Sequence, residues 1–162
     1  MTWPIGEIDD LRRLRVLAAA IPGAMYVETD LPARFDDVWQ VLGDLERALP
    51  GLVPDVRSVR VTEQHGERFR AMIRGRSGLR APFDGILRPG WCLMQSRFVS
   101  FGIAVAPDGD GTRLGYMSGF RFPGMRILGP LLVPANRLLG RVVVRRFITR
   151  FDRDGDSGGR PM

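Results

Sequence analysis

The spacing of apolar residues divides the chain into a helical start, a long run of strands and a helical end. Residues 7–21 carry apolar side chains three or four positions apart, which predicts an amphipathic helix that Pro22 ends. Residues 24–31 alternate between apolar and polar, which predicts a strand. Two short helices are predicted next, over 35–42 and 45–49.

The middle of the chain has the pattern of an antiparallel meander. Short runs of alternating apolar and polar residues are separated by tight-turn sequences, and residues 107–111, Pro-Asp-Gly-Asp-Gly, are the clearest hairpin loop. Regularly spaced short strands joined in this way pair antiparallel with their neighbours. The predicted strands cover residues 56–64, 68–76, 79–88, 91–98, 101–106 and 112–122.

The pattern returns to helical over residues 126–153, where apolar residues form a broad stripe. Pro130 and Pro134 are expected to restrict the regular part of this helix to roughly its last 20 residues. The remainder, 154–162, is rich in glycine and charge and is predicted to be disordered. The predicted organisation is an N-terminal helical extension over 1–22, one domain over 23–153 and this tail.

Composition indicates a single globular domain and removes several chemistries. The chain has 162 residues, of which 44% are hydrophobic and 26% charged. All 24 basic residues are arginine, so a Walker A loop, a Schiff-base lysine and a pyridoxal-phosphate anchor are excluded. One cysteine excludes an intramolecular disulfide, and one histidine excludes a multi-histidine metal site. We therefore expect neither a metal nor a cofactor.

The net charge of +6 favours anionic partners, yet the arginines are scattered and no nucleic-acid-binding motif accompanies them. Nucleic acid is therefore not an expected partner. Arg137, Arg141 and Arg145 recur every fourth residue, which is compatible with transient contact of the last helix with an anionic membrane; a solvated basic face is the alternative. No segment has the roughly 18 apolar residues of a membrane span, and the acidic N-terminus does not resemble a signal peptide, so a cytoplasmic location is expected.

The order of these elements resembles the START-like superfamily, which also contains polyketide cyclase/dehydrase and lipid-transport proteins. The resemblance covers about residues 24–152 and depends on the order of several short motifs. These are Leu31-Pro32-Ala33 leading into Phe35-Asp36-Asp37-Val38-Trp39, the helix from Asp44 to Pro50, the strand with Trp91, Gly109-Asp110-Gly111-Thr112-Arg113, and Phe122-Pro123-Gly124 before the last helix.

The resemblance implies an α+β helix-grip fold, in which a curved antiparallel sheet wraps around a long C-terminal helix. Curvature keeps such a sheet and helix from meeting along their whole length, so a cavity tends to remain between them. Family members bind sterols, lipids or polyketides there, and some catalyse cyclisation or dehydration. The expected partner is therefore a hydrophobic small molecule. Catalysis on a polyketide-like compound, carriage of a lipid-like compound and a protein-docking role are left open.

Strand alternation predicts which side chains line this interior. In the last strand Tyr116, Ser118 and Phe120 share one face, and Tyr116 and Ser118 would place hydroxyl groups in an apolar chamber. A purely structural hydrogen-bonding role for both is the alternative. The complete predicted lining comprises Phe69, Ala71, Ile73, Met94, Ser96, Phe98, Tyr116, Ser118, Phe120, Leu139 and Val143.

Asp84 and Tyr116 are the candidate catalytic residues. Asp84 lies mid-strand between Phe83 and Gly85, where an inward carboxylate would have a raised pKa suited to acid–base chemistry. An outward or edge position is the alternative for Asp84, because the flanking proline and glycine favour a bulge. His65 is in a predicted turn and Cys92 has no neighbouring base in the pattern, so neither is favoured as catalytic.

Overall fold

A computed structural model describes residues 9–156, apart from the side chains of 125–126, 129, 132–133, 135–136 and 152–156. Within this range the chain forms one antiparallel sheet of seven strands and four helices. The elements are α1 (Asp10–Ala20), β1 (Met25–Leu31), α2 (Phe35–Leu42), α3 (Leu45–Leu52), β2 (Val56–His65), β3 (Arg68–Gly75), β4 (Arg80–Arg88), β5 (Trp91–Gln95), β6 (Val99–Asp108), β7 (Gly111–Phe120) and α4 (Met125–Asp156).

The strands lie in the order β1-β7-β6-β5-β4-β3-β2, so every strand from β2 to β7 pairs with its neighbour in sequence and β1 closes against β7. This is the predicted α+β helix-grip arrangement, with α2 and α3 after the first strand and a long C-terminal helix. The predicted extension and tail fall partly on residues 1–8 and 157–162, which lie outside the described residues.

Two helices continue through prolines that the sequence predicted to limit them: the second short helix was expected to end before Pro50, and the last helix to be regular only after Pro134. Helix α3 passes through Pro50 to Leu52, and α4 is one helix from Met125 that contains Pro130 and Pro134. A proline inside a helix removes one backbone hydrogen bond and leaves the carbonyl four residues earlier without its partner. Because Pro130 and Pro134 are both exposed, water can reach this side of the helix. The prediction that α4 is regular only after Pro134 is therefore wrong.

One face of the sheet, the inner face, packs against α2, α3 and α4. Its alternate residues include Leu114 and Tyr116 on β7 and Ile103 on β6, and they join Val143 and Phe147 of α4 in a single buried cluster. Helix α4 runs along β1 and contacts α3, so it closes one side of this interior. Gly140 allows the close approach, because a side chain there would come within 2.6 Å of the Met25 sulfur.

The opposite, outer face is covered by α1 over β1, β6 and β7. The Asp9 side chain caps this helix by accepting the Arg12 backbone N–H at 2.7 Å. Leu11, Leu14 and Ala18 then bury one side of α1 in a second cluster with residues of the outer face. The docking position of the N-terminal helix, which the sequence did not indicate, is therefore the face of the sheet turned away from α4.

Two glycines form the seat for α1. A side chain at Gly102 would come within 2.6 Å of Leu14 Cδ1, and one at Gly115 would come within 2.8 Å of Leu11 Cδ2. The missing side chains allow the helix to lie directly on the strands. Glycines at outward positions of β6 and β7 thus make room for a helix, in a part of the sheet where a polar surface would otherwise be expected.

Charged groups hold both sides of α1 to the sheet. On one side the Arg88 guanidinium donates to both oxygens of Asp10, at 2.9 and 2.6 Å. On the other side Glu28 accepts hydrogen bonds from Tyr26, at 2.7 Å, and from Arg15. Burial raises the pKa of Tyr26. Burial by itself would raise the pKa of Glu28, but the hydrogen bonds from Tyr26 and Arg15 lower it. The result is a bidentate ion pair on one side of α1 and a three-residue network on the other.

Shortening Leu14 tests whether α1 is an integral part of this domain. Leu14 is fully buried between the helix and the sheet, so Leu14→Ala is expected to lower the free energy of unfolding by about 2 to 4 kcal/mol. Val16→Ala, at an exposed position of the same helix, is the matched control and is expected to change it by less than about 0.5 kcal/mol. If chemical denaturation gave equally small decreases in the free energy of unfolding for Leu14→Ala and Val16→Ala, α1 would not contribute to the core.

Candidate functional site

The inner face of the sheet brings most of the predicted lining together. Phe69, Ala71 and Ile73 of β3 and Met94 of β5 are buried there, as alternation predicts. On β7, Tyr116, Ser118 and Phe120 follow one another along the same face, because Tyr116 and Ser118 pair with the inward residues Ile103 and Phe101 of β6. From α4, Val143 is fully buried in the same cluster and Leu139 is half-buried.

A pair of hydroxyl groups interrupts this apolar interior. Tyr116 is 2% exposed and makes a side-chain hydrogen bond with Ser118, which is two residues further along the strand and only half-buried. Burial raises the pKa of Tyr116 to about 12, although the hydrogen bond with Ser118 acts in the opposite direction. At neutral pH the Tyr116 phenol is therefore protonated and can donate a hydrogen bond.

The core of the described residues contains few polar side chains and no charged one. Among the described residues the buried polar side chains besides Tyr116 are Ser100 and Thr112, and none of the buried side chains carries a charge. Thr112 donates to the Ala33 carbonyl at 2.6 Å, so its hydroxyl serves the fold. Burial raises the pKa of the Cys92 thiol to about 12, which keeps it protonated and unreactive as a nucleophile. The interior therefore suits a neutral, largely apolar guest.

The cavity that the sequence predicts between the sheet and α4 is closed in this structure, because Met94, Ile103 and Tyr116 on the inner face are only 0%, 1% and 2% exposed. A solvent-open groove lies at the edge of this interior, between the α2–α3 junction and strands β2 to β4. A cavity of about 520 Å³ there is open to solvent and reaches Phe69 and Leu87 of the inner face. Gly43, which lies between the two helices, lines the opening together with Gln40 and Gln64. The opening therefore joins polar side chains at the surface to an apolar wall.

Gln64 was not among the predicted residues. Simple alternation along β2 would place it on the face opposite to Val61, but a register shift between Val61 and Glu63 turns Gln64 towards the inner side, opposite Phe69. A one-residue bulge reverses the faces of all the residues that follow it. Nothing in the local sequence marks the position of this bulge.

Three of the nominated residues lie elsewhere. Asp84 is on the outer face, where it is 76% exposed and accepts a hydrogen bond from Arg70 at 2.9 Å, so the outward alternative is correct. Ser96 and Phe98 are not part of β5, which ends at Gln95. Ser96 turns the chain by accepting the Val99 N–H at 3.0 Å, and Phe98 is 42% exposed. The interpretation in which Phe98 points inward beside Met94 is therefore wrong.

Asp84 and Tyr116 lie on opposite faces of the sheet, and strands β5 and β6 separate the strands that carry them. His65 is exposed at the end of β2 and lines an outer-face groove that also includes Asp84 and Arg70. Cys92 is on the inner face, so the structure does not bring it together with His65. Among the side chains that the structure describes, no group of three or more His, Cys, Asp or Glu residues lies close enough together to hold a metal ion. None of the helices within residues 9–156 has the length and apolar character needed to cross a bilayer.

The raised pKa values of the two tyrosines can be measured directly. Tyrosinate absorbance of the native protein is expected to show no ionisation near pH 10, because burial is the largest cause of the rise at both Tyr26 and Tyr116. In the unfolded chain both tyrosines ionise near pH 10. Below pH 10 tyrosine ionisation should therefore leave the free energy of unfolding unchanged, and between pH 10 and 12 this free energy should fall, because the unfolded chain loses the protons that the folded chain still holds. A native-state titration near pH 10 that Tyr116→Phe removes would contradict the burial of Tyr116.

Many solved structures share this architecture at low sequence identity. The Zhui aromatase/cyclase from Streptomyces sp. R1128 matches with a TM-score of 0.59 and 16% identity, over 84% of this chain and 97% of that chain. A START superfamily protein from Mycobacterium smegmatis matches with a TM-score of 0.58 and 14% identity, over 80% and 97%. The di-domain ARO/CYC StfQ from the steffimycin biosynthetic pathway matches with a TM-score of 0.65 and 9% identity, over 91% and 56%.

No family model and no curated protein matches this sequence. The order of the elements along the chain and the three-dimensional likeness to these solved structures therefore carry the assignment of the fold. Both indicate the same fold, which in this chain is a seven-stranded sheet with a long C-terminal helix. The chain has the START-like, or SRPBCC, helix-grip fold.

Proposed function

We propose that this protein binds a neutral hydrophobic molecule, polyketide-like or lipid-like, between the inner face of the sheet and helix α4. The observation that carries the proposal is the pair of hydroxyl groups of Tyr116 and Ser118 on an otherwise apolar wall. A polar group inside an apolar site fixes the orientation of a ligand, while the apolar wall provides most of the binding free energy. The fold shared with an aromatase/cyclase and a START protein supports this assignment.

The proposed wall is apolar and closely packed. The Phe69 ring fills the space over Gly85, where an added side chain would come within 2.6 Å of it. The small Ala71 lies on the same wall, and Met94, opposite Gly85, provides an adaptable surface. A guest entering at the opening between α2, α3 and β2 would first meet Phe69 and Leu87. Since the inner side chains are packed together in the ligand-free chain, binding requires the helical layer to move away from the sheet.

The two hydroxyl groups differ in their access to solvent, and this difference suggests how a ligand is held. Tyr116 is sealed inside the core, whereas Ser118 is half-buried beside Phe120. A ligand carbonyl that accepts a hydrogen bond from Tyr116 would leave its apolar portion against β5 and β6. The single hydrogen bond would contribute about 1 kcal/mol, which favours one orientation over its reverse roughly fivefold.

Binding without acid–base catalysis fits the described interior better than turnover does. Cyclisation or dehydration needs a group that accepts a proton near neutral pH. Tyr116 is held protonated, and Asp84, the other candidate, lies on the outer face. Tyr116 could still polarise a ligand carbonyl by donating a hydrogen bond, which would be its role if the protein does act on its ligand.

The opening can be tested with a neutral fluorescent probe, N-phenyl-1-naphthylamine. We expect saturable binding, and we expect Gln64→Trp to weaken it at least tenfold because a bulky side chain at this exposed position would block the opening. Glu63→Trp is the matched control, since the neighbouring residue faces the outer side and lines a different groove. Equal binding by both variants would contradict entry at this opening.

Substitutions of the two polar candidates separate their roles. Tyr116→Phe removes one hydroxyl from the interior, and we expect a carbonyl-bearing ligand that co-purifies with the protein, recovered by native mass spectrometry, to bind about fivefold more weakly. Asp84→Asn changes only the outer face, so its affinity should equal that of the unchanged protein. A loss on Asp84→Asn with none on Tyr116→Phe would place the site on the outer face instead.

A further inference from the structure

The first half of α4 exposes an apolar face to solvent. Ile127, Leu131 and Leu138 lie four and seven residues apart, so they share one side of the helix. They are 80%, 74% and 65% exposed. The core-facing residues Val143 and Phe147 lie on the opposite side of the same helix. Within the described part of the chain this face is therefore uncovered.

Aromatic side chains extend this surface beyond the start of α4. The rings of Phe98 and Phe122 stack with their centroids 5.1 Å apart, and both are exposed. Phe122 and Ile127 line the same open groove of about 760 Å³. We call the continuous surface formed by Phe98, Phe122, Ile127, Leu131 and Leu138 the apolar end patch. An exposed surface of this kind normally marks a contact with another molecule or a membrane.

The charge around the apolar end patch has one sign. Every charged residue from 111 to 151 is an arginine. Arg141 and Arg145 continue the exposed face of α4 towards its C-terminus, and the Arg97 guanidinium lies 5.3 Å above the Phe98 ring. None of these three arginines takes part in an ion pair with the described residues. The surface therefore combines apolar side chains with cations that have no anionic partner among the described residues.

We propose that the apolar end patch docks on an anionic lipid membrane. An interfacial helix buries apolar side chains at the boundary between headgroups and acyl chains while its arginines contact anionic headgroups. On α4 the residues Ile127, Leu131 and Leu138 would enter the boundary, and Arg141 and Arg145 would remain at headgroup level, where their long apolar stems can also be covered. Phe98 and Phe122 would add an aromatic contact beside the helix.

The charge pattern favours a membrane over a second copy of this chain. A symmetric dimer brings the same surface of both subunits together, so two sets of arginines would meet without an acidic residue from 111 to 151 to neutralise them. The centre of a protein interface is also depleted of charge. An anionic bilayer provides both the apolar layer and the negative charge. This proposal does not depend on a ligand in the interior, because the patch lies outside it.

Sedimentation with lipid vesicles tests the proposal. The full chain is expected to bind vesicles of phosphatidylcholine mixed with phosphatidylglycerol and to bind phosphatidylcholine vesicles more weakly, with added salt reducing the difference. The double variant Ile127→Ser, Leu131→Ser is expected to lower partitioning at least tenfold. Leu79→Ser is the matched control at a site that is 76% exposed outside the patch, and it should bind like the unchanged protein.

Three further variants guard against a folding effect and separate the apolar from the charged contributions. Phe98→Ser with Phe122→Ser changes the patch outside the helix and is expected to lower partitioning several-fold. Arg141→Gln and Arg145→Gln should each lower it about fivefold on the anionic vesicles only. Unchanged partitioning of all of these variants would overturn the proposal. The proposal would also be overturned if analytical ultracentrifugation showed that the unchanged protein forms a dimer and that the Ile127→Ser, Leu131→Ser variant does not.

Discussion

Strands β6 and β7 are buried on both faces, and the placement of the helices follows from this requirement. On β7 the inner residues Leu114 and Tyr116 and the outer residue Met117 are all nearly inaccessible to solvent. A sheet with two apolar faces at its centre needs a cover on each side. Helices α2, α3 and α4 cover one side, and α1 covers the other through close contacts at Gly102 and Gly115. The N-terminal helix is therefore part of the domain's core.

This division gives the two faces different chemistry. The outer face carries paired charges, such as Arg70 with Asp84, because the strands beyond α1 meet water there. Among the described residues no charged side chain is buried on the inner face, and the hydroxyl groups of Tyr116 and Ser118 interrupt its apolar surface. A group buried without charge can orient a ligand but cannot readily exchange a proton with it at neutral pH. The architecture therefore favours recognition of a neutral molecule.

Period-two alternation was sufficient to predict the inner face of β7, because its strand has no bulge and its neighbours have matching registers. It failed at Phe98, where a Ser96 turn without glycine or proline ends β5 early. The side of the sheet occupied by Asp84 follows from the pairing of β3 with β4, which a single strand does not reveal. The seat of α1 also depends on contacts distant in sequence. Local pattern thus predicted the elements, while tertiary contacts decided the site.

The central claim is that a hydrophobic guest occupies the inner face, and methyl resonances of the methionines test it most directly. Met94 is fully buried on that face, whereas Met72 is 37% exposed on the outer face of β3. With methyl-labelled methionine, adding N-phenyl-1-naphthylamine is expected to shift the Met94 signal in proportion to saturation and to leave the Met72 signal unchanged. A titration that saturates with Met72 shifted and Met94 unmoved would contradict an internal site.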